Sequence, residues 1–175
     1  FNYAIKRIDM RYNKRRDDYR RQVHEINILF FNHSPYLLHG IDIEYRRDIY
    51  RLDIASELMA GGNLDDFIRK YRITGRKIPD HFIWTIFLQC CLGVRYLHLN
   101  GVIHRDIKPH NILLDHRDLP NRAVICDFGA SICLTQQNSF CSTKIGTPYF
   151  MSPEQNNQPK SVSYTHLRAH ETRED

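Results

Sequence analysis

The sequence has no obvious export or membrane signal. No apolar run approaches membrane-spanning length, and no signal peptide opens the chain. The five cysteines show neither metal-ligand nor disulfide-framework spacing, and two of them, Cys90 and Cys91, lie inside an apolar helical pattern. Such cysteines are typical of packing in a reducing compartment. These absences argue against a disulfide-stabilised secreted domain and predict a cytoplasmic protein with no membrane partner.

Acidic residues are fewer than basic residues in this sequence. The 175 residues carry 25 Lys and Arg against 20 Asp and Glu, which gives a net charge of +5. Much of the positive charge lies in RYNKRRDDYRRQ, residues 11–22. A nucleic-acid partner would fit such a run, but Asp17 and Asp18 interrupt it, and a solvated helix face explains it better. With 42% hydrophobic and 26% charged residues, the composition is that of a soluble globular domain without a nucleic-acid partner.

The most informative stretch is HRDIKPHN at residues 104–111, which CDFG follows at residues 126–129. An acid, Asp106, is followed by the amide of Asn111, and Asp127 comes after two short apolar runs. This set matches the signature for phosphoryl transfer. Asp106 can orient a substrate hydroxyl and accept its proton, while Asn111 and Asp127 offer hard oxygen ligands for magnesium on nucleotide phosphates.

Lys108, in the same stretch, adds a cation near the transferred phosphoryl group. Taken singly, each of these side chains is better explained by a polar turn between two strands, in which Asp and Asn bond their own backbone. The whole set at this spacing favours phosphoryl transfer.

The segments before this stretch predict a small sheet and a helix. FNYAIKRID predicts a strand with Lys6 at its end, and apolar residues recur every three or four positions across residues 17–31, which predicts a helix that carries Glu25. HSPYLLHGIDIEY and YRLDIASELM predict two antiparallel strands separated by the charged turn at residues 46–48.

The following segments predict helices and then short strands. GGNLDDFIRK predicts a two-glycine turn and a short helix, and residues 81–99 predict the longest helix, which Asn100 and Gly101 end. The apolar stripe expected to face the core on this helix is Ile83, Phe87, Cys90, Cys91, Val94 and Leu97. Residues 111–115 and 123–126 predict two paired strands, so the expected fold class is α+β.

Together these motifs resemble the eukaryotic protein kinases, and Lys108 within HRDIKP resembles their serine/threonine type. The stretches EINILFFNHSPYLL, ELMAGGNLDDFI, IPDHFIWTIFLQCCLGVRYLH and GTPYFMSPEQ are most similar to the NIMA-related (Nek) kinases. Ste20-like kinases, whose loop more often ends in GTPYWMAPE, are the alternative.

The resemblance implies a two-lobed α+β fold of which the chain holds a part. Residues 1–57 would form a partial small lobe that lacks the strands of the glycine-rich loop. Residues 58–160 would form a partial large lobe that lacks its C-terminal helices. The 175-residue piece itself is therefore expected to be inactive and to aggregate through exposed apolar faces.

The resemblance also implies ATP and Mg²⁺ as cofactors. Lys6 would hold the nucleotide phosphates and pair with Glu25, and both count with Asp106 and Lys108 as catalytic residues. Asn111 and Asp127 would be the metal ligands.

The implied adenine site uses the backbone near Glu57 and Met59, which resembles the hinge between the lobes. Ala4 would lie above the adenine and Leu113 beneath it. On the same alignment Ser56 is the gatekeeper, whose small side chain would leave a pocket open behind the adenine.

The hydroxyl-rich segment at residues 127–154 resembles the activation segment. A phosphate on Thr143, or as second choices on Ser142 and Ser139, would be bound by Arg105 and would order the segment. Thr147 would contact the catalytic loop and help to accept serine or threonine substrates. The implied partners are protein substrates with Ser or Thr acceptors, and the Nek resemblance adds a cytoskeletal or ciliary association, with the nucleus or cytoskeleton as alternative locations.

The C-terminal residues 161–175 do not fit this pattern. VSYTHLRAHET has no apolar periodicity and resembles the conceptual translation of a sequencing adaptor, which predicts a non-native tail. The alternative is a genuine divergent tail, in which His166 and His170 could be metal ligands, but two histidines four residues apart are a weak motif. For the parent protein, a pseudokinase or scaffold that binds partners without catalysis is the competing function.

Overall fold

The computed structural model describes residues 2–12, 16–133 and 146–151 of the chain. Its first sheet is antiparallel with strand order β1-β3-β2, where β1 is Tyr3–Asp9, β2 is Gly40–Arg46 and β3 is Arg51–Glu57. Helix α1, Arg16–Phe31, joins β1 to β2, and a single 3-10 turn at Arg47–Ile49 joins β2 to β3. The strands, the helix and the charged turn occur in the predicted order, but β2 begins at Gly40 and leaves the first half of the predicted strand, residues 33–39, outside the sheet.

One expectation about β1 is wrong, because Lys6 lies in the middle of the strand and not at its end. Pairing with β3 runs from Tyr3 opposite Glu57 to Asp9 opposite Arg51, so three residues continue the strand after Lys6. The extension is stabilised by Ile8, which pairs with Leu52 and packs against the core.

After β3, the described residues form two α-helices and two further small sheets. The helices are α2 (Leu64–Thr74) and α3 (Asp80–Leu99), and the strands are β4 (Gly62–Asn63), β5 (Val102–Ile103), β6 (Ile112–Leu114), β7 (Ala123–Ile125) and β8 (Ile132–Cys133). The second sheet has strand order β4-β6-β7, and β5 pairs with β8 in the third. Asn63 caps the start of α2, because its side chain accepts a hydrogen bond from the backbone N–H of Asp66.

The predicted core face of helix α3 is only partly right. Leu97 is buried as expected, and Val94 and Cys90 pack against the two cores. Ile83, Phe87 and Cys91 of the expected stripe are exposed, and Phe82, Ile86 and Gly93 are buried instead. Trp84 and Leu88 add to this exposed apolar face, so the helix is apolar on nearly every side. When both faces are apolar, a 3.6-residue period does not indicate which of them is buried.

By length and composition alone α3 could cross a membrane, since its 20 residues have a window of mean hydropathy 1.4. The expectation that no apolar run approaches spanning length is therefore wrong for this helix. Core helices of non-membrane proteins pass the same test. Here α3 packs Phe82 into one core and Leu97 into another.

Two hydrophobic cores meet along α3. The first lies between α1, the first sheet and β7, and its buried members include Leu29, Ile54 and Phe128. The second lies between α2, α3 and β6 and is centred on Phe67 and Phe82. Residues 104–111 connect β5 to β6 at the junction of the two cores, which fixes both ends of this loop.

Candidate active site

The loop at residues 104–111 is anchored by a buried histidine. His104 is almost fully buried, its Nε2 lies 3.0 Å from the carbonyl oxygen of Cys126, and its Nδ1 accepts the backbone N–H of Asp106. Nδ1 therefore carries no proton, which makes Nε2 the donor. Burial lowers the pKa of His104, although the bond to Cys126 opposes the shift, so the ring is neutral and serves as a structural brace.

Asp106 is the centre of a network of short hydrogen bonds. Lys108 Nζ lies 2.7 Å from Asp106 Oδ2, and the backbone N–H of Thr147 donates to Oδ1 at 2.9 Å. The hydroxyl of Thr147 also donates to Oδ1 at 2.8 Å and accepts from Lys108 Nζ at 2.7 Å. The amide of Asn111 donates to the backbone oxygen of Asp106 at 2.9 Å and to its Oδ2 at 3.1 Å.

This network holds Asp106 as a carboxylate. Burial alone would raise the pKa of Asp106, but the hydrogen bonds from Lys108 and Thr147 outweigh it, and the pKa lies below its usual value. The ionised carboxylate is fixed on several sides, as positioning of a hydroxyl nucleophile requires. The structure thus brings together four side chains that the sequence placed in one site: Asp106, Lys108, Asn111 and Thr147.

Lys6 and Glu25 form a second cluster. Lys6 Nζ lies 2.5 Å from Glu25 Oε1, and the two side chains are 51% and 11% exposed, so the carboxylate is enclosed while the ammonium group reaches solvent. A methyl group added to Gly129 would lie 3.5 Å from both Glu25 Oε2 and Asp127 Oδ1. Asp127 and Glu25 therefore flank the same glycine, and a cation, an enclosed acid and an exposed acid meet in one place.

A sharp backbone turn at Asp127 places its side chain near Glu25. Asp127 has φ +63°, a left-handed conformation that few residues other than glycine adopt, and its side chain is exposed. Phe128 points the opposite way and is 1% exposed in the first core, where its ring meets that of His104 at a centroid distance of 5.6 Å. Asp127 is thus exposed near Glu25, while the buried ring of Phe128 anchors the turn in the first core.

Cys126, directly before this turn, is buried. Burial raises the pKa of its thiol to about 12, and the negative charge of Asp127 adds to the shift. A thiol with this environment stays protonated and packs as a small apolar group.

Arg105 also has a left-handed backbone, with φ +67°. Its Nε donates to the carbonyl oxygen of Ala130 at 2.7 Å, which attaches the loop to the segment after Phe128. The predicted phosphate acceptors Thr143, Ser142 and Ser139 lie outside the described residues.

The predicted adenine contacts lie on separate elements. Ala4 pairs with Ser56 in the first sheet, Glu57 ends β3, Met59 is buried just beyond it, and Leu113 is half-buried in β6. Sequence reasoning missed Arg122, whose guanidinium binds the carboxylate of Glu57 through two nitrogens. No motif pointed to this arginine, because the two residues are 65 positions apart.

The donor set fits a magnesium nucleotide. Asp127 offers an exposed carboxylate, and the amide nitrogen of Asn111 is occupied by Asp106, which leaves its hard oxygen for a cation. Within the described part of the chain, no three His, Cys, Asp or Glu side chains are grouped to hold a metal alone. Mg²⁺ at nucleotide sites needs only one or two carboxylates together with phosphates, so the two side chains are a suitable set.

The chain is similar to known proteins over most of its length. The family model described as protein kinase domain matches residues 2–166. The serine/threonine-protein kinase shk2 of Schizosaccharomyces pombe is 33% identical over 151 residues, which are 86% of this chain and 24% of that protein. The mitogen-activated protein kinase kinase 1c of Physcomitrium patens is 32% identical over 167 residues, which are 93% of this chain and 44% of that protein.

The serine/threonine-protein kinase Nek11 of Homo sapiens is 39% identical over 101 residues, which are 58% of this chain and 15% of that protein. The chain spans less than half the length of each of these curated relatives. The matched range of the family model extends to residue 166 and so includes the first residues of the predicted non-native tail, whose origin stays a prediction.

Proposed function

This chain belongs to the protein kinase domain family, and from that premise we propose that its parent protein is an active kinase that phosphorylates serine or threonine in proteins. The observation that carries the proposal is the network around Asp106, in which a lysine, an amide and a threonine hold one ionised carboxylate. Relatives whose names describe serine/threonine kinases support the choice of acceptor.

The side chains have distinct roles in the proposed transfer. The γ-phosphoryl group passes from ATP to the acceptor hydroxyl, whose proton goes to Asp106, and ADP leaves. Lys108 lies within 2.7 Å of Asp106 and would offset charge on the transferred group. Lys6, held by Glu25, would bind the nucleotide phosphates.

Mg²⁺, held by Asn111 and Asp127, would neutralise charge on those phosphates. Thr147 would help to place the acceptor, since it contacts both Asp106 and Lys108. ATP and protein substrates are thus the proposed partners of the parent protein.

The proposal is tested by phosphoryl transfer in the full-length parent protein. Asp127→Ala should lower transfer to a generic Ser/Thr acceptor protein by at least about 100-fold, because a ligand for the phosphate-bound cation is lost. Asp118→Ala is the matched control, since Asp118 is an exposed aspartate that pairs with Lys70 on the surface. A wild-type protein that neither binds ATP nor transfers phosphate would support a scaffold instead.

Regulation by phosphorylation is the second part of the proposal. Arg105 lies beside Asp106 and reaches the segment after Phe128, so a phosphate on Thr143 would link that segment to the catalytic loop. Thr143→Ala in the full-length enzyme should sharply reduce turnover, and Ser142→Ala should have the smaller effect. Unchanged turnover in Thr143→Ala would contradict the assignment.

We further propose a Nek-like subfamily, a cytoplasmic location with the nucleus or cytoskeleton as alternatives, and cytoskeletal or ciliary partners. The support is the motif set together with the similarity to Nek11 and to the mouse protein Nek3, which is 37% identical over 103 residues. Mitogen-activated protein kinase kinases are similar over longer ranges, so the full-length sequence and its localisation in cells are the tests.

A further inference from the structure

We propose that Arg122 is a positioning residue for the nucleotide, because it fixes the end of β3 at the point where the backbone is proposed to bind adenine. The inference rests on the proposed kinase function. It adds a specific residue that belongs to no motif of the chain and lies outside the catalytic loop.

The contact between Arg122 and Glu57 is bidentate. Arg122 Nη1 lies 2.5 Å from Glu57 Oε2, and Nη2 lies 3.0 Å from Oε1. Oε1 also accepts the backbone N–H of His39 at 3.1 Å, while the N–H of Glu57 donates to the His39 carbonyl oxygen. The last residue of β3 is thus held through both its side chain and its backbone.

Arg122 is fixed in turn by the segment before β2. Its Nε donates to the carbonyl oxygen of Pro35 at 2.9 Å. That segment is bonded to β7, because Ile125 N–H donates to Tyr36 O and Leu38 N–H donates to Ile125 O, both at 2.9 Å. The guanidinium therefore connects the end of the first sheet to the second sheet through groups that are themselves anchored.

The chemistry of this ion pair indicates that it orients the Glu57 side chain more than it stabilises the fold. The side chains of Arg122 and Glu57 are 35% and 24% exposed, and ion pairs with this access to water add little to folding free energy. A guanidinium has a rigid, planar set of donors that matches both oxygens of a carboxylate, which a lysine cannot reproduce. The contact is therefore suited to fixing the direction of the Glu57 side chain and the backbone that carries it.

The backbone beyond Glu57 leads directly to the buried Met59, so its direction decides where the proposed adenine contacts lie. Loss of the Arg122–Glu57 contact would make this end of β3 less rigid. ATP binding should then weaken to the same extent in the ground state and in the transition state. Such uniform loss raises KM and leaves kcat almost unchanged.

The experiment measures steady-state kinetics for ATP in the full-length parent protein. Arg122→Gln should raise the KM for ATP by about fivefold, with kcat changed by less than about twofold. Glu57→Gln should raise KM similarly, and the double variant should be no worse than either single variant. Arg122→Lys should restore only part of the loss, because one ammonium group cannot hold both oxygens.

Arg51→Gln is the matched control. Arg51 forms a half-buried ion pair with Asp53 at 2.8 Å on the same strand, but at the end away from Glu57. Removal of this pair should leave the KM for ATP unchanged.

Several results would overturn the proposal. An unchanged KM in Arg122→Gln, or independent effects in the double variant, would show that the pair does not position the nucleotide. A fall in kcat at constant KM would indicate a general structural role, and a rise in kcat would show that the pair restrains turnover. Failure of the kinase function itself is distinct, since the wild-type protein would then show no turnover at all.

Discussion

The two halves of the candidate site are built over different distances along the chain. In the catalytic loop, Lys108 and Asn111 bond Asp106 from two and five positions away. The Lys6–Glu25 pair joins residues 19 positions apart on a strand and a helix, and it meets Asp127 only because the chain folds back. The bonds among Asp106, Lys108 and Asn111 are therefore local, although the loop is also anchored to Cys126 and Thr147, 22 and 41 positions away. The second cluster depends on how α1 packs.

This difference predicts which half is more easily disturbed. The bonds from Lys108 and Asn111 to Asp106 span at most five residues, so these three side chains should stay together when α1 moves. The bonds that anchor the loop reach Cys126, Ala130 and Thr147, none of which lies on α1. Glu25 stays near Asp127 only while α1 packs over Phe128 in the first core. A shift of α1 would separate Lys6 from Glu25 and leave the Asp106 network in place.

The largest expected effect is in the loop. Asp106→Asn keeps the size of the side chain but removes the proton acceptor and the ion pair with Lys108, so kcat in the full-length parent protein should fall by about 100- to 10,000-fold. Phosphoryl transfer at saturating ATP measures it. Asp48→Asn, at an exposed turn, is the control, and retention of more than about a tenth of wild-type kcat by Asp106→Asn would contradict the assigned role.

A smaller effect is expected in the second cluster. Glu25→Gln removes the charge that holds Lys6, but the ammonium group of Lys6 is half-exposed and solvated by water, so kcat/KM for ATP should fall by about tenfold. Glu44→Gln, exposed on β2, should be neutral. A loss in Glu25→Gln as large as that of Asp106→Asn would show that the two halves are not separable.

The smallest effect on ATP itself is expected at Ser56. In the first sheet Ser56 pairs with Ala4 on one side and Gly40 on the other, which places three small residues in one row across the strands. Ser56→Met should leave turnover with ATP nearly unchanged but weaken an adenine analogue with a bulky aromatic extension by about tenfold, or about 1.4 kcal/mol. Competition binding measures the ratio, and equal affinity of both proteins for the analogue would refute the gatekeeper assignment.

The sequence predicted the loop well because its information is local. The spacing of Asp106, Lys108 and Asn111 is enough to indicate a shared site, and the structure places their side chains in contact. The assigned chemical roles remain predictions, as does the division of the chain into lobes at residue 57.

Contacts between distant elements were harder to predict. The expected face of α3 was wrong in the first half of the helix, because the helix is apolar on nearly all sides and only tertiary packing selects Phe82 and Ile86 over Ile83 and Phe87. Arg122 was missed because its partner lies 65 positions earlier. Lys6 was placed at a strand end because the pairing of β1 with β3 depends on residues some fifty positions away.

The apolar character of α3 has a consequence for synthesis of the chain. The helix is made before β6 and β7, so a ribosome completes residues 80–99 while the strands that cover its inner face do not yet exist. Until those strands follow, both faces of the helix contact water, and Ile83, Trp84, Phe87 and Leu88 are exposed also in the described structure. We expect α3 to be a segment through which the growing chain associates with other apolar surfaces.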